Sequence, residues 1–161
     1  MGGSAQADDN TFREIGPANI GGRFSSLIAS NLDESHTTIY AGSASGGLYV
    51  RSKNSDILGR LYSGLADQTV AAALASDTNS WHLVPGTETL PISCMTQLPN
   101  GEIFIGTGSD IYPLGTTYTL MSTKGRGIYR YNPETGECAV VPNTDVASTE
   151  NFTAVHCLDY L

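Results

Sequence analysis

The residues best suited to ligand chemistry cluster between a pair of glycines and a basic triplet. Gly106-Thr107-Gly108-Ser109-Asp110-Ile111-Tyr112-Pro113-Leu114-Gly115-Thr116-Thr117-Tyr118 combines the carboxylate of Asp110 with the phenols of Tyr112 and Tyr118 and several hydroxyls. That mixture of flat aromatic faces and polar tips suits contact with a sugar or a peptide. Lys124-Gly125-Arg126 follows, and the guanidinium of Arg126 would place a cation beside an anionic ligand group. A long connection on a rigid scaffold is often functional. The same composition also suits a solvent-facing rim loop, and the basic triplet a solvated turn.

Other chemistries leave weaker traces. Glycoside hydrolysis needs two carboxylates across a cleft, and Asp33, Glu34, Glu102, Asp110 and Glu134 offer no compelling pair. No GxSxG nucleophile elbow occurs. Gly106-x-Gly108 lacks the third glycine and following helix of a phosphate cradle. His36, His82 and His156 share no ligand spacing, so neither a metal nor any other cofactor is expected. Cys94, Cys138 and Cys157 are odd in number and without CxxC spacing. Cys94 and Cys157 fall at repeat-equivalent positions inside apolar segments. They read as packed thiols, with a disulfide between neighbouring strands as the geometrically demanding alternative.

The elements that must hold these residues are written twice. Thr38-Ile39-Tyr40-Ala41-Gly42-Ser43 recurs as Glu102-Ile103-Phe104-Ile105-Gly106-Thr107. Gly47-Leu48-Tyr49-Val50 recurs as Gly127-Ile128-Tyr129-Arg130, and Trp81-His82-Leu83-Val84-Pro85 as Cys138-Ala139-Val140-Val141-Pro142. The order is kept while the loops between differ. Short β-branched and aromatic segments bounded by turn residues predict strands over 24–30, 37–42, 47–51 and 80–84, then over 92–97, 102–106, 126–131 and 137–141. The expected fold is all-β. It is a β-propeller segment of about two four-stranded blades, with 152–158 as the first strand of a third. A two-sheet sandwich is the alternative.

On this plan residues 1–11 form a loose N-terminus and 12–90 the first blade, with a rim insertion over 52–79. The second blade spans 91–145, with a long loop over 107–125, and 146–161 opens a third. Alanine-rich 65–75 predicts a short helix in the insertion. Two units and one strand cannot close a ring, so either further blades of a longer chain or self-association is expected.

The totals exclude some partners. Of 161 residues, 8 are Lys or Arg and 16 are Asp or Glu, a formal charge of −8 that repels nucleic acid and anionic membrane surfaces alike. No apolar run approaches the roughly 18–20 residues of a transmembrane segment. The first ten residues have neither the basic region nor the apolar stretch of a signal peptide.

Ile15-Gly16-Pro17-Ala18-Asn19-Ile20-Gly21-Gly22-Arg23, then Thr38-Ile39-Tyr40-Ala41-Gly42-Ser43-Ala44-Ser45-Gly46-Gly47-Leu48-Tyr49, then Ile103-Phe104-Ile105-Gly106-Thr107-Gly108 resembles the secreted bacterial β-propellers of the sialidase-like, BNR-repeat and sortilin-like superfamily. The resemblance covers residues 12–161. It implies export to the periplasm, outer-membrane surface or exterior, and a non-catalytic module binding protein or glycan through its rim loops. The rival it implies is a fragment of a propeller glycoside hydrolase. Arg23 would then be one of the arginines that grip a substrate carboxylate, or an arginine bonding neighbouring blade carbonyls. The Arg-Ile-Pro motif of sialidases is missing, and relatives commonly carry Glu where Ser109 stands. The Asp box is degenerate. Trp81 keeps its closing aromatic, Leu74 and Ser76 stand seven and five residues before it, and Cys138 replaces the tryptophan in the second copy.

Overall fold

Each copy of the repeat folds into one antiparallel sheet of four strands in sequence order. The computed structural model describes residues 23–108, 124–146 and 152–160. The first sheet contains β1 (Phe24–Ala29), β2 (Ile39–Ser43) and β3 (Leu48–Arg51). Two helices follow, α1 (Ser55–Leu61) and α2 (Gln68–Ser76), before β4 (His82–Leu83) completes it. The second sheet is β5 (Ile92–Gln97), β6 (Ile103–Thr107), β7 (Ile128–Asn132) and β8 (Glu137–Val140). The described residues are therefore mostly β, as the sequence predicts. The register repeats as well: Ala41 opposes Tyr49 in the first sheet, and Ile105 opposes Tyr129 in the second. Even the irregularity recurs, between Phe24 and Ser26 and again between Ile92 and Cys94.

Both sheets close with the same device. Thr87 Oγ1 donates to Val84 O (2.7 Å) and accepts from Leu48 N–H (2.9 Å). Thr144 Oγ1 donates to Val141 O (2.8 Å), and Ile128 N–H donates to it (3.1 Å). The hydroxyls thereby satisfy backbone groups where each outer strand runs out. Gly86 and Asn143, one residue before each threonine, both adopt positive φ, at 83° and 64°. Glycine and asparagine tolerate that region best.

The sheets approach each other along β1 and β5. Farther out, the helices share the intervening space. One apolar cluster joins Tyr40, Leu48 and Val50 of the first sheet to Ile103, Ile105 and Tyr131 of the second, through Leu58, Leu61 and Ala71 of the helices. Tyr40 and Tyr131 meet edge to face with centroids 6.0 Å apart. A second, smaller cluster covers the face of the first sheet turned away from β5, where Phe24 meets Trp81 and Tyr49.

The insertion differs from expectation. One helix was predicted over 65–75, and two are present. The first is short and lacks the alanine signal, but Asn54 caps it by accepting from Asp56 N–H (2.9 Å), and Asp56 and Arg60 sit at the dipole-favoured ends. Asp67 caps α2 in the same way. The fourth strand is also shorter than 80–84, because only His82 and Leu83 pair with β3. Residues 152–158, predicted as a strand, form none among the described residues. They lie against the second sheet through isolated bonds, such as Val155 N–H to Thr107 O (3.1 Å). Without a ladder partner of their own, they gain no strand pairing. His156 and Cys157 on this segment are accordingly exposed.

Candidate functional site

Antiparallel order brings one set of loops to a common end of the two sheets. There β1 begins, β2 turns into β3, β4 passes to β5, β6 leaves toward 109–123, and β7 begins. Arg23 and Arg126 both lie at this end, and both are exposed. Asp110, Tyr112 and Tyr118 lie outside the described residues. What is described is how the two feet of their connection are anchored.

Thr107 is fully buried. Its Oγ1 donates to Gly127 O (2.6 Å) and accepts from Arg126 N–H (2.7 Å). Gly108 N–H donates to Pro91 O (2.8 Å), and Gly125 N–H to Thr153 O (2.7 Å). Gly108 has φ 87°, and a Cβ there would lie 2.6 Å from Gly125 N. Both feet therefore need glycine, for backbone conformation at one and close approach at both. Arg126 is tied sideways as well, its Nη1 donating to Thr89 Oγ1 (2.9 Å) on the β4–β5 connection. Lys124 is exposed beside it. Arg23 contributes a backbone bond, accepting from Ala44 N–H (2.9 Å). Ser43 and Ser45 hydroxyls lie 3.0 Å apart on the β2–β3 turn. This end thus carries Arg23, Lys124, Arg126 and several hydroxyls beside the carboxylates of Glu88 and Asp145, a mixed composition that suits polyhydroxyl ligands and anionic groups placed at the arginines.

The other carboxylates named from sequence go elsewhere. Asp33, Glu34, Glu102 and Glu134 lie at the opposite end, on the β1–β2, β5–β6 and β7–β8 turns. Glu102 faces Arg130 at 3.6 Å. Asp33 is 7% exposed and organises its turn. Its Oδ1 accepts from the backbone and hydroxyl of Ser35, and its Oδ2 from the backbone and hydroxyls of Thr37 and Thr38. Burial raises the pKa of this carboxyl. The bonds from Ser35, Thr38 and Thr37 outweigh that and hold it well below the usual carboxylate range. Thr38 Oγ1 meets Ser52 Oγ at 2.7 Å, and Ser52 accepts from Asn54 N–H, so the turn reaches the cap of α1. A carboxylate so fully bonded is architectural.

His82 is spoken for too. Its Nε2 contacts Asp77 O (2.7 Å) and its Nδ1 contacts Tyr62 Oη (2.8 Å), so Nε2 carries the proton and Tyr62 donates to Nδ1. Burial, then the charge of Asp77, raises the Tyr62 pKa. Burial, then Glu88, pushes the Cys138 thiol up to about 11. Among the described residues no three His, Cys, Asp or Glu side chains are grouped to hold a metal. No described helix is long and apolar enough to cross a membrane.

Sequence reasoning missed Thr87 and Thr144. The repeated Val-Pro-x-Thr, 84–87 and 141–144, was the available signal, since the matched segments stopped at the proline. It also missed Thr89, whose hydroxyl no motif marks. No protein-family model, no curated protein and no solved structure matches this chain.

Proposed function

We propose that the chain is a run of β-propeller blades from an exported bacterial protein of the sialidase-like, BNR-repeat and sortilin-like kind, serving as a non-catalytic platform for protein or glycan. One observation carries the propeller reading: the contact between the sheets is made a second time. Ser25 Oγ donates to Ile92 O, and Ser93 Oγ donates to Val155 O. A Cβ at Gly42 would overlap Ile92, and one at Gly106 would lie 2.7 Å from Val155 Cγ1. Leu90 O accepts from Gly47 N–H, and its counterpart 63 residues on, Thr153 O, accepts from Gly125 N–H, two residues before the repeat-equivalent Gly127. Ile92 and Val155 stand 63 residues apart, so the segment from Val155 onward stands to the second sheet as the segment from Ile92 onward stands to the first. Repetition of one contact is how radially arranged sheets are built. Aligned sandwiches instead pack their faces broadly.

The binding end is the one bearing Arg23, Lys124, Arg126 and the 109–123 connection. The test is binding of the purified chain to arrayed neutral and acidic glycans and to peptide libraries, alongside Arg126→Ala and Arg23→Ala. Loss of a ligand signal in either variant, at unchanged melting temperature, supports the reading. Retention of every signal in both variants moves the binding surface elsewhere.

A further inference from the structure

Cys94 and Cys157 stand 63 residues apart, the same interval that separates Ile92 from Val155. The two segments that carry them are tied together beside the thiols. Ser93 Oγ donates to Val155 O, and the Cys94 thiol donates to the same carbonyl at 3.5 Å. Gly106 makes room for this approach. A Cβ there would lie 2.5 Å from Cys94 Sγ and 2.7 Å from Val155 Cγ1, so the sulfur and the valine meet over one glycine. Cys157 follows Val155 by two residues, a reach of at most about 7 Å along the backbone. Burial raises the Cys94 pKa, and the charge of Cys157 raises it further, so the two sulfurs feel each other.

The third thiol is turned away from this pair. Cys138 packs against the core between the sheets, as does Ile105. Gly106 follows Ile105 on β6 and pairs with Cys94, so strand alternation puts Cys94 on the opposite face. The two halves of the pair also differ in restraint. Cys94 lies in a paired strand, whereas Cys157 is exposed. Among the described residues no backbone bond ties His156, Cys157 or Leu158 to the sheet. This half can therefore adjust to the Cα separation of about 4.4–6.8 Å that a disulfide requires.

We propose that Cys94 and Cys157 are a disulfide-forming pair, which clasps the segment from Val155 onward to the second sheet when the chain meets a small-molecule disulfide. With glutathione disulfide as oxidant, the exchange has two steps. The Cys157 thiolate, from the exposed thiol, attacks one glutathione sulfur. The glutathione S–S bond breaks, one glutathione thiolate leaves, and Cys157 is held as the mixed disulfide. Cys94 then loses its proton and attacks the Cys157 sulfur, which expels the second glutathione thiolate. Two protein thiols are oxidised, and one glutathione disulfide is reduced to two glutathiones. The finished bond closes a long loop, which restricts the unfolded chain.

The experiment incubates the reduced full chain with glutathione disulfide at about pH 8, where thiolates begin to form. Free thiols are then alkylated, and the protein is digested without reduction for peptide mass mapping. Cys157→Ser is treated in parallel, and its fold is retained because the side chain is exposed. The wild type should yield a cross-link between the Cys94 and Cys157 peptides that is absent from Cys157→Ser. Its melting temperature should rise by roughly 10 °C on oxidation and fall back with dithiothreitol, while that of Cys157→Ser stays level. A wild type that stops at the mixed disulfide on Cys157 overturns the proposal. Cys157 joined to Cys138, or to a second molecule, overturns it equally. A Cys94–Cys157 bond that leaves the melting temperature unchanged overturns the clasp.

Discussion

Asp33 shows how a residue with catalytic credentials becomes architectural. Six donors converge on its carboxylate, and one of its partners, Thr38, continues through Ser52 to the cap of α1. Asp33→Ala leaves buried donors unpaired and should destabilise by about 3 kcal/mol. Chemical denaturation reads this as a lower midpoint at unchanged slope. The folded pKa is depressed, so its stabilisation is full above the unfolded value of roughly 4 and is lost as pH falls toward the folded one. Wild type should lose stability below about pH 4, and Asp33→Ala should show a shallower loss there. Parallel pH curves for the two proteins would remove Asp33 from the account. The thiols divide just as clearly. Cys157 is exposed, whereas Cys138 is half-buried against the core with its thiol pushed up to about 11. Thiolate is the reactive form, so iodoacetamide near neutral pH should label Cys157 first and Cys138 last. Peptide mass mapping after short exposure checks the order, and early labelling of Cys138 would contradict its burial.

Among the elements, the strand ends matter more than the strand middles. Thr87 is fully buried and serves as donor to one backbone group and acceptor from another, 39 residues away. Thr87→Val keeps the shape and removes both bonds, and should cost about 2 kcal/mol. Thr144→Val should cost about the same, because its bonds repeat those of Thr87. A cost confined to one of the two, measured by denaturant titration, would mean that the repeat in sequence is not a repeat in energetics. The strands themselves were legible because their alternation and turn residues act locally: Ile92–Gln97 was predicted to the residue. The helix α1 was not, since seven residues held by an asparagine cap and two buried leucines carry little propensity of their own. The segment 152–158 looked like a strand because it has a strand's composition, but pairing is a property of two segments. The loop feet at Gly108 and Gly125 were visible as glycines, yet their reason, a close backbone approach, was not. Of the proposed binding end, Arg23 and Arg126 were each named from sequence, but their common end is a property of the sheet order, and Thr89, which holds Arg126, was invisible to any motif.

At the scale of the whole molecule, the described residues divide into two sheets but share a single core. Side chains from β2, β3, both helices, β5, β6 and β7 belong to one cluster, and neither sheet can lose its half without exposing the other. Inter-sheet bonds add to this: Asn31 Nδ2 donates to Leu98 O (2.8 Å), and Gln97 Oε1 accepts from Asn31 N–H (2.9 Å). Burial of this kind couples elements that sequence separates. The sheets should therefore melt as one unit. Trp81, the single tryptophan, sits on the face of the first sheet turned away from the second, outside the shared core. Its fluorescence reports that far face, while circular dichroism in the strand region reports both sheets. The two melting curves should coincide, and Ile105→Ala in the second sheet should shift the Trp81 curve downward by as much as it shifts the dichroism. Truncating such a buried isoleucine costs about 2–5 kcal/mol, ample for the comparison. If Trp81 melts separately or ignores Ile105→Ala, the sheets are independent repeats joined by a common filler. The propeller reading would survive that result, but the claim of a single cooperative core would not.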